Sequence, residues 1–195
     1  MVTQNTVSQE EEVWPEQGAW TYEDWLRLPD DGFRYEIIEG VLHVTPAPSI
    51  AHQTASGNLY SLLRDYARRH GGRLWTSPVG VRLPGQPVPF QPDLVFVSAA
   101  RSDIVGAQYV EGVPDLVVEI LSPSNFFYDR TQKFQLYRDA GVPEYWIVDP
   151  RAHTIEVYAL EGTEYIPLGQ NAAGEEATSR VLSGFAASVD AVFAE

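Results

Sequence analysis

The chain has 195 residues, 44% of them hydrophobic and 12% aromatic, enough for one α/β domain with a sizeable core and too many for disorder over most of its length. It contains no cysteine, which excludes a disulfide framework, a thiol nucleophile and a cysteine-type zinc site. Its 27 acidic and 13 basic side chains give a net charge of −14, an unfavourable balance for binding nucleic acid through the overall field.

The acidity is uneven. Residues 1–40 carry ten carboxylates against Arg27 and Arg34, and residues 161–195 carry six against Arg180. The centre, 41–160, holds 11 acidic and 10 basic side chains, neutral enough to approach a phosphate if metal ions help. The acidic ends have a plainer use in solubility. No apolar run approaches the roughly 18 residues that a membrane span needs, and the first residues lack the basic start and apolar stretch of a signal peptide. A cytoplasmic protein with no membrane partner is expected.

In chain order, residues 1–19 are polar, with Glu10-Glu11-Glu12 and then Trp14-Pro15, and read as a loose acidic arm. The folded domain is expected over 20–195. Thr21 can cap a short helix, Tyr22 to Leu28, with Asp24 as its capping-box partner. Phe33 to Glu39 and Val41 to Val44 read as a hairpin turning at Gly40. Glu36 and Glu39 are three apart, so a strand sends them to opposite faces and only one can join a given site.

From about Ala51 the pattern is helical: Leu59, Leu62, Leu63, Tyr66 and Ala67 fall at i, i+3, i+4, i+7 and i+8, and Gly71-Gly72 ends the run. Arg64, Arg68 and Arg69 lie on its solvent side, with Arg73 beyond. They suit phosphate contacts, and equally a solvated face with cations at a helix C-terminus. His52 sits near this helix's start. Short strands follow at Arg73 to Pro78 and Val79 to Leu83. Asp93 then opens an apolar run, Leu94 to Val97, directly after Pro92, which places a carboxylate at the mouth of a buried strand.

Residues 99–112 read as a loop with a short helix. Pro114 to Leu121 is an apolar, β-branched run after its opening Pro114-Asp115, with Glu119 set deep inside it. An ionised carboxylate there costs several kcal/mol, as an order of magnitude, unless it is paired or holds a metal. Asp129 to Ala140 has helical spacing and stops at Gly141, and Glu144 to Asp149 is a second buried strand. Beyond Pro150 the pattern gives strands at Thr154 to Leu160 and Tyr165 to Leu168, a polar turn region over 171–178, and a terminal helix, Val189 to Phe193. No Gly-rich phosphate loop, nucleophile elbow or H-E-x-x-H spacing occurs.

Asp93, Glu119 and Lys133 form the set that can carry chemistry. Carboxylates on neighbouring strands suit a hard divalent cation, which prefers oxygen ligands. Such a cation lowers the pKa of water and offsets charge developing on a phosphate. Lys133 is the only lysine beside 12 arginines. A compact ammonium can orient water or move a proton where a guanidinium cannot. Asp129, four residues earlier, would also form an ordinary helical pair with it.

Pro92-Asp93 followed by Glu119 resembles the PD-(D/E)XK nuclease superfamily. The fuller run is similar to the Uma2 family of restriction-endonuclease-like proteins: Y-E-I-I-E-G at 35–40, P-S-I-A-H at 48–52, P-D-L-V-F-V at 92–97, V-V-E-I-L-S-P-S at 117–124, D-R-T-Q-K at 129–133 and G-V-P-E-Y-W-I-V-D-P at 141–150. The resemblance implies a single α/β domain, a mixed β-sheet flanked by helices. It implies a DNA endonuclease using Mg²⁺ or Mn²⁺ to activate a water against the phosphodiester, with Asp93, Glu119 and Glu36 at the metal and Lys133 as the catalytic lysine. His52 matches a family histidine. Analogy with restriction-like nucleases adds a homodimer. The superfamily's E-x-K would put lysine at position 121, where this chain has Leu121, so Lys133 serves only if its helix crosses the strand end. Two other readings stay open: a catalytically inactive nucleic-acid-binding or regulatory module on the same scaffold, and a metal-dependent hydrolase of another substrate.

Overall fold

The computed structural model describes residues 13–86, 88–123 and 126–195. Helix α1 (Tyr22–Trp25) starts at Thr21 through the expected capping box: Thr21 Oγ1 accepts from the Asp24 N–H, and Asp24 Oδ2 accepts from the Thr21 N–H. It is shorter than the sequence suggests, ending at Leu26. Strands β1 (Arg34–Ile38) and β2 (Val41–Thr45) form the hairpin, with Glu36 opposite His43. Its turn residues Glu39 (φ 50°) and Gly40 (φ 74°) both have positive φ, as a tight hairpin turn requires.

The turn is clamped from outside. Gly18 and Trp20 donate their N–H groups to the Gly40 carbonyl at 2.9 and 3.0 Å, and the Gln17 amide pairs both ways with the Leu42 backbone. Residues 17–20 are therefore docked on the hairpin rather than loose. Residues 1–12 of the expected arm lie outside the described residues.

Helix α2 (Ile50–His70) begins at its cap Ser49, whose Oγ accepts from the His52 N–H, and ends at Gly71. After it come β3 (Arg73–Thr76), β4 (Gly80–Arg82), β5 (Leu94–Val97), a 3₁₀ turn (Ala99–Ile104), β6 (Tyr109–Glu111) and β7 (Leu116–Ile120). The next helix, α3, has three parts: α over Phe126–Tyr128, π over Asp129–Lys133, and α again over Phe134–Asp139. Strands β8 (Glu144–Asp149), β9 (Thr154–Glu161), β10 (Glu164–Asn171), β11 (Glu176–Thr178) and β12 (Ala186–Ser188) follow, and α4 (Val189–Val192) comes last. Strand β6, which pairs parallel with β4, lies where the sequence suggested a loop, and β11 lies in the expected polar turn.

The central sheet has the order β10-β9-β8-β7-β5-β3, with β7 and β8 parallel and the other neighbours antiparallel. Parallel neighbours need a crossover, and α3 supplies it. Strand alternation divides the core. Leu94, Phe96, Leu116, Val118 and Ile120 pack with α2 through Leu59, Leu63 and Tyr66, together with Phe185 and Val189 of the C-terminal segment. Val95, Val97 and Val117 face the other way, toward Leu136 and Tyr137 of α3 and Ile38 of the hairpin. Glu119 has the same parity as Val117, so the pleat points it at α3. This is the mixed sheet flanked by helices that the sequence implies.

Gly40→Ala tests the clamp on the hairpin. A Cβ at Gly40 would lie 2.4 Å from the Gly18 carbonyl oxygen, on a backbone with positive φ. The expected loss is about 1–3 kcal/mol by chemical denaturation. A variant as stable as wild type would contradict the clamp.

Candidate active site

Each acidic residue is delivered by a different piece of local structure. In β1, alternation puts Arg34, Glu36 and Ile38 on one face. Ile38 enters the core, Glu36 is fully buried, and Arg34 reaches Asp93 with Nη1 to Oδ1 at 3.1 Å. Strand β5 pairs with β7 in the register Leu94 to Val118, and one more step sets Asp93 against Glu119. The Asp93 carboxylate is tied to β7 beside Glu119, since the Ile120 N–H donates to Asp93 Oδ2 at 2.8 Å.

Helix α3 completes the site through its π turn. An α-helix advances 100° per residue, so residues eight apart drift by about 80°. The wider turn at Asp129–Lys133 takes back much of that drift. Asp129, Lys133 and Tyr137 are thus all buried on the face toward the sheet. Lys133 Nζ lies 3.0 Å from Glu119 Oε1, 3.2 Å from Glu36 Oε2 and 3.4 Å from Asp129 Oδ1. Tyr137 donates its hydroxyl to Glu119 Oε1 at 2.7 Å. Tyr145 of β8 donates to the Asp129 carbonyl at 3.0 Å, holding the π turn against the sheet. The helix does turn its lysine toward Glu119.

His52 and Arg34 receive positions that the sequence left without a role. His52 Nε2 is 3.2 Å from Asp93 Oδ2. An ionised carboxylate only accepts, so this nitrogen carries the proton. Arg34 also donates to the Gln91 carbonyl, and the Gln91 N–H donates to Glu36 Oε1. Tyr137 went unnoticed in the sequence, although it stands four residues beyond the singular lysine. Glu39, by contrast, is exposed on the hairpin turn, away from the cluster.

Electrostatically the site is lopsided. Four buried carboxylates, Glu36, Asp93, Glu119 and Asp129, face two permanent cations, Lys133 and Arg34. Burial works against an ionised Asp93, but its hydrogen bond to His52, the charge of Arg34 and the Ile120 N–H hold its pKa to about 2. Burial raises Glu119 to about 8; Lys133 opposes this, and Asp93, Asp129 and Glu36 add to it. Asp129 rises to about 6, chiefly from burial. Glu36 is lowered, because Lys133 and Arg34 outweigh its burial. Burial alone would discharge Lys133, yet Glu119, Glu36 and Asp129 hold its pKa well above the ordinary value. The lysine is therefore an ammonium, a donor rather than a base, and burial makes Glu119 the carboxylate of the cluster pushed furthest toward holding a proton near neutrality.

Glu119 Oε2 is buried without a hydrogen-bond partner among the described residues. Among the described residues no three His, Asp or Glu side chains are grouped to hold a metal ion as they stand. The donors still fit a hard divalent cation of the Mg²⁺ kind, which uses one or two carboxylates and keeps several waters. Among the described residues Oε2 of Glu119 is uncommitted and Oδ1 of Asp93 accepts from Arg34 alone, and with all four carboxylates ionised the cluster would carry two negative charges in excess. A cleft of about 790 Å³ opens beside Asp93, Arg34 and His52, bordered by Ser49, Gln91 and Ile120. Glu119 and Lys133 lie behind that wall.

The Uma2 family model, described as "Putative restriction endonuclease", matches residues 22–190. Among solved structures, a protein of Anabaena variabilis described as "a putative nuclease belonging to DUF820" has a similar fold, with a TM-score of 0.68 over 88% of this chain and 96% of that one at 19% identity. No curated protein matches.

The split of pKa values predicts an unusual pH profile. The stability contributed by neutral Glu119 is complete below its ordinary value of 4.5 and is lost as pH rises toward about 8. That contributed by ionised Asp93 runs oppositely, present above 3.8 and lost toward about 2. Without divalent metal, the melting temperature should fall from about pH 5 to 8, and Glu119→Gln should flatten that slope. Equal slopes would show that Glu119 is not the titrating group. Lys133→Met, which leaves three carboxylates facing one another, should cost about 3–5 kcal/mol in urea unfolding at pH 8 and less at pH 5. A cost independent of pH would contradict the network.

Proposed function

The chain belongs to the Uma2 family, and on that premise we propose that it is a divalent-metal-dependent endonuclease that hydrolyses phosphodiester bonds of DNA. The observation that carries the reading is Lys133. The strand has Leu121 where the wider superfamily has its lysine, and the π turn of α3 brings Lys133 to 3.0 Å from Glu119 instead.

Asp93 and Glu119 would hold the cation, Mg²⁺ or Mn²⁺, Glu119 through Oε2 and Asp93 through Oδ1, which it would share with Arg34. Glu36 would complete the acidic set from the far side of Lys133. Bound there, the cation supplies acidity to a water and positive charge to a phosphate oxygen. The chain's own residues do the rest. His52 and Arg34 fix the Asp93 carboxylate and line the cleft, so they are positioned to border an entering phosphodiester. Lys133 stays charged, fixes Glu119 Oε1 together with Tyr137, and presents a positive charge to the site as negative charge develops on phosphate. Glu119 must give up its proton to become a ligand.

The second reading, a catalytically inactive nucleic-acid-binding or regulatory module, draws on one observation: the cleft touches Asp93 while Glu119 and Lys133 are enclosed behind it. Activity separates the two readings. With Mg²⁺ or Mn²⁺, wild type should cut DNA, and Asp93→Ala and Glu119→Ala should each lose at least about 10²-fold in rate, the scale of removing one electrostatic stabiliser. Saturating Mn²⁺ should also raise the melting temperature, by the equivalent of about 2.7 kcal/mol at a hundred times the Kd, and should not do so in Glu119→Ala. Wild type and Asp93→Ala equally inactive on DNA and RNA would sink the nuclease reading. Full rate in Lys133→Ala would remove the lysine from it.

A further inference from the structure

Two features remain outside the catalytic account. One is the shape and chemistry of the cleft; the other is the arginine row of α2. At about 790 Å³ the cleft is within the range of sites for small ligands, about 300–1,000 Å³, a size that suits a single nucleotide. Two aromatic residues line it, Phe33 and Tyr60, and Phe33 is 49% exposed. Among the described lining residues Arg34 is the one arginine or lysine, and it is already bound to Asp93.

A surface built for duplex DNA needs many phosphate contacts from Lys and Arg. Single-strand sites instead combine aromatic platforms, which stack bases, with a basic groove that follows the backbone. A row of basic side chains begins at the cleft wall. Arg64 Nη1 donates to the Tyr60 hydroxyl at 2.6 Å, and its guanidinium lies 5.7 Å from the centre of the Tyr60 ring. Arg68, one helical turn further, is exposed on the same side of α2. Tyr60, Arg64 and Arg68 thus run in a row away from the cleft over about 12 Å of helix.

We propose that the cleft and this row form one track for an unpaired DNA strand, a nucleobase stacking on Phe33 and Tyr60 while following phosphates run along Arg64 and Arg68. The proposal rests on the nuclease reading and names its substrate class. It makes a duplex a poor ligand unless a nucleotide is unpaired.

The test is equilibrium binding by fluorescence anisotropy. Glu119→Gln protein, which does not cut, is titrated with a labelled mixed-sequence oligodeoxynucleotide and with the same strand annealed to its complement, over a series of salt concentrations. The single strand should bind at least about tenfold more tightly. Adding Phe33→Ala should weaken it roughly 5- to 100-fold, as expected for loss of a stacked base. Adding Arg64→Gln should reduce the slope of log affinity against log salt by about 0.7, the single-strand value for one phosphate. Unchanged melting temperatures in both double variants exclude misfolding. Duplex binding as tight as single-strand binding, or an unaffected Phe33→Ala, would overturn the track. In parallel, wild type is assayed for cutting of plasmid and single-stranded DNA in Mn²⁺. Plasmid cleavage without single-strand preference would leave the nuclease reading standing and end this proposal. Single-strand binding that depends on Phe33, without cleavage, would support the track and end the nuclease reading. Neither binding nor cleavage would end both.

Discussion

The placement of the hairpin, the central sheet and the crossover helix around the site depends on one ammonium group. Lys133 is wholly buried, and a buried cation without partners costs several kcal/mol, as an order of magnitude. Three carboxylates offset that cost, and they come from three different elements: Glu36 from β1, Glu119 from β7 and Asp129 from α3 itself. One atom therefore joins the hairpin, the central sheet and the crossover helix. The apolar core would hold these layers together without it, but would not set where the hairpin lies relative to α3. Buried ion pairs are weak sources of stability and better sources of position. Here the position they define is that of Asp93, Glu119 and the cleft.

The same ammonium leaves the cluster unbalanced. Asp93 and Glu119 stand across one strand pair, yet their environments separate them by several pKa units, about 2 against about 8. Asp93 accepts from Arg34, His52 and a backbone N–H. Glu119 is buried more deeply, beside other acids, with one oxygen unpartnered among the described residues. Carboxylates driven apart in this way are suited to different tasks. On the proposed function, Asp93 would be ready to ligate while Glu119 would hold a proton until a divalent cation replaced it. Metal loading, proton release and fold stability would then form a single linked equilibrium.

Much of this was legible in the sequence because it breaks local patterns. Glu119 stands out as a charge in a run of Val, Ile and Leu, and Asp93 as a carboxylate opening a buried strand. Lys133 stands out against 12 arginines. Helix α2 and the hairpin follow from periodicity and turn residues. The π turn was not legible, since it is a local widening of a helix whose residues have ordinary helical spacing. Its consequence, the alignment of Asp129, Lys133 and Tyr137, needed coordinates. Arg34 was hidden for another reason. Its partner Asp93 is 59 residues away, and an arginine two positions before a glutamate carries no signal until the strand's burial is known. The three-residue strands β6, β11 and β12 are too short for alternation to show.

The most direct test is a crystal of the protein soaked in Mn²⁺, with anomalous diffraction collected at the manganese edge. The account predicts a peak touching Glu119 and Asp93, with Lys133 still bridging Glu119 and Glu36. A saturating soak that leaves no peak between those two carboxylates, or places it elsewhere in the protein, would contradict it.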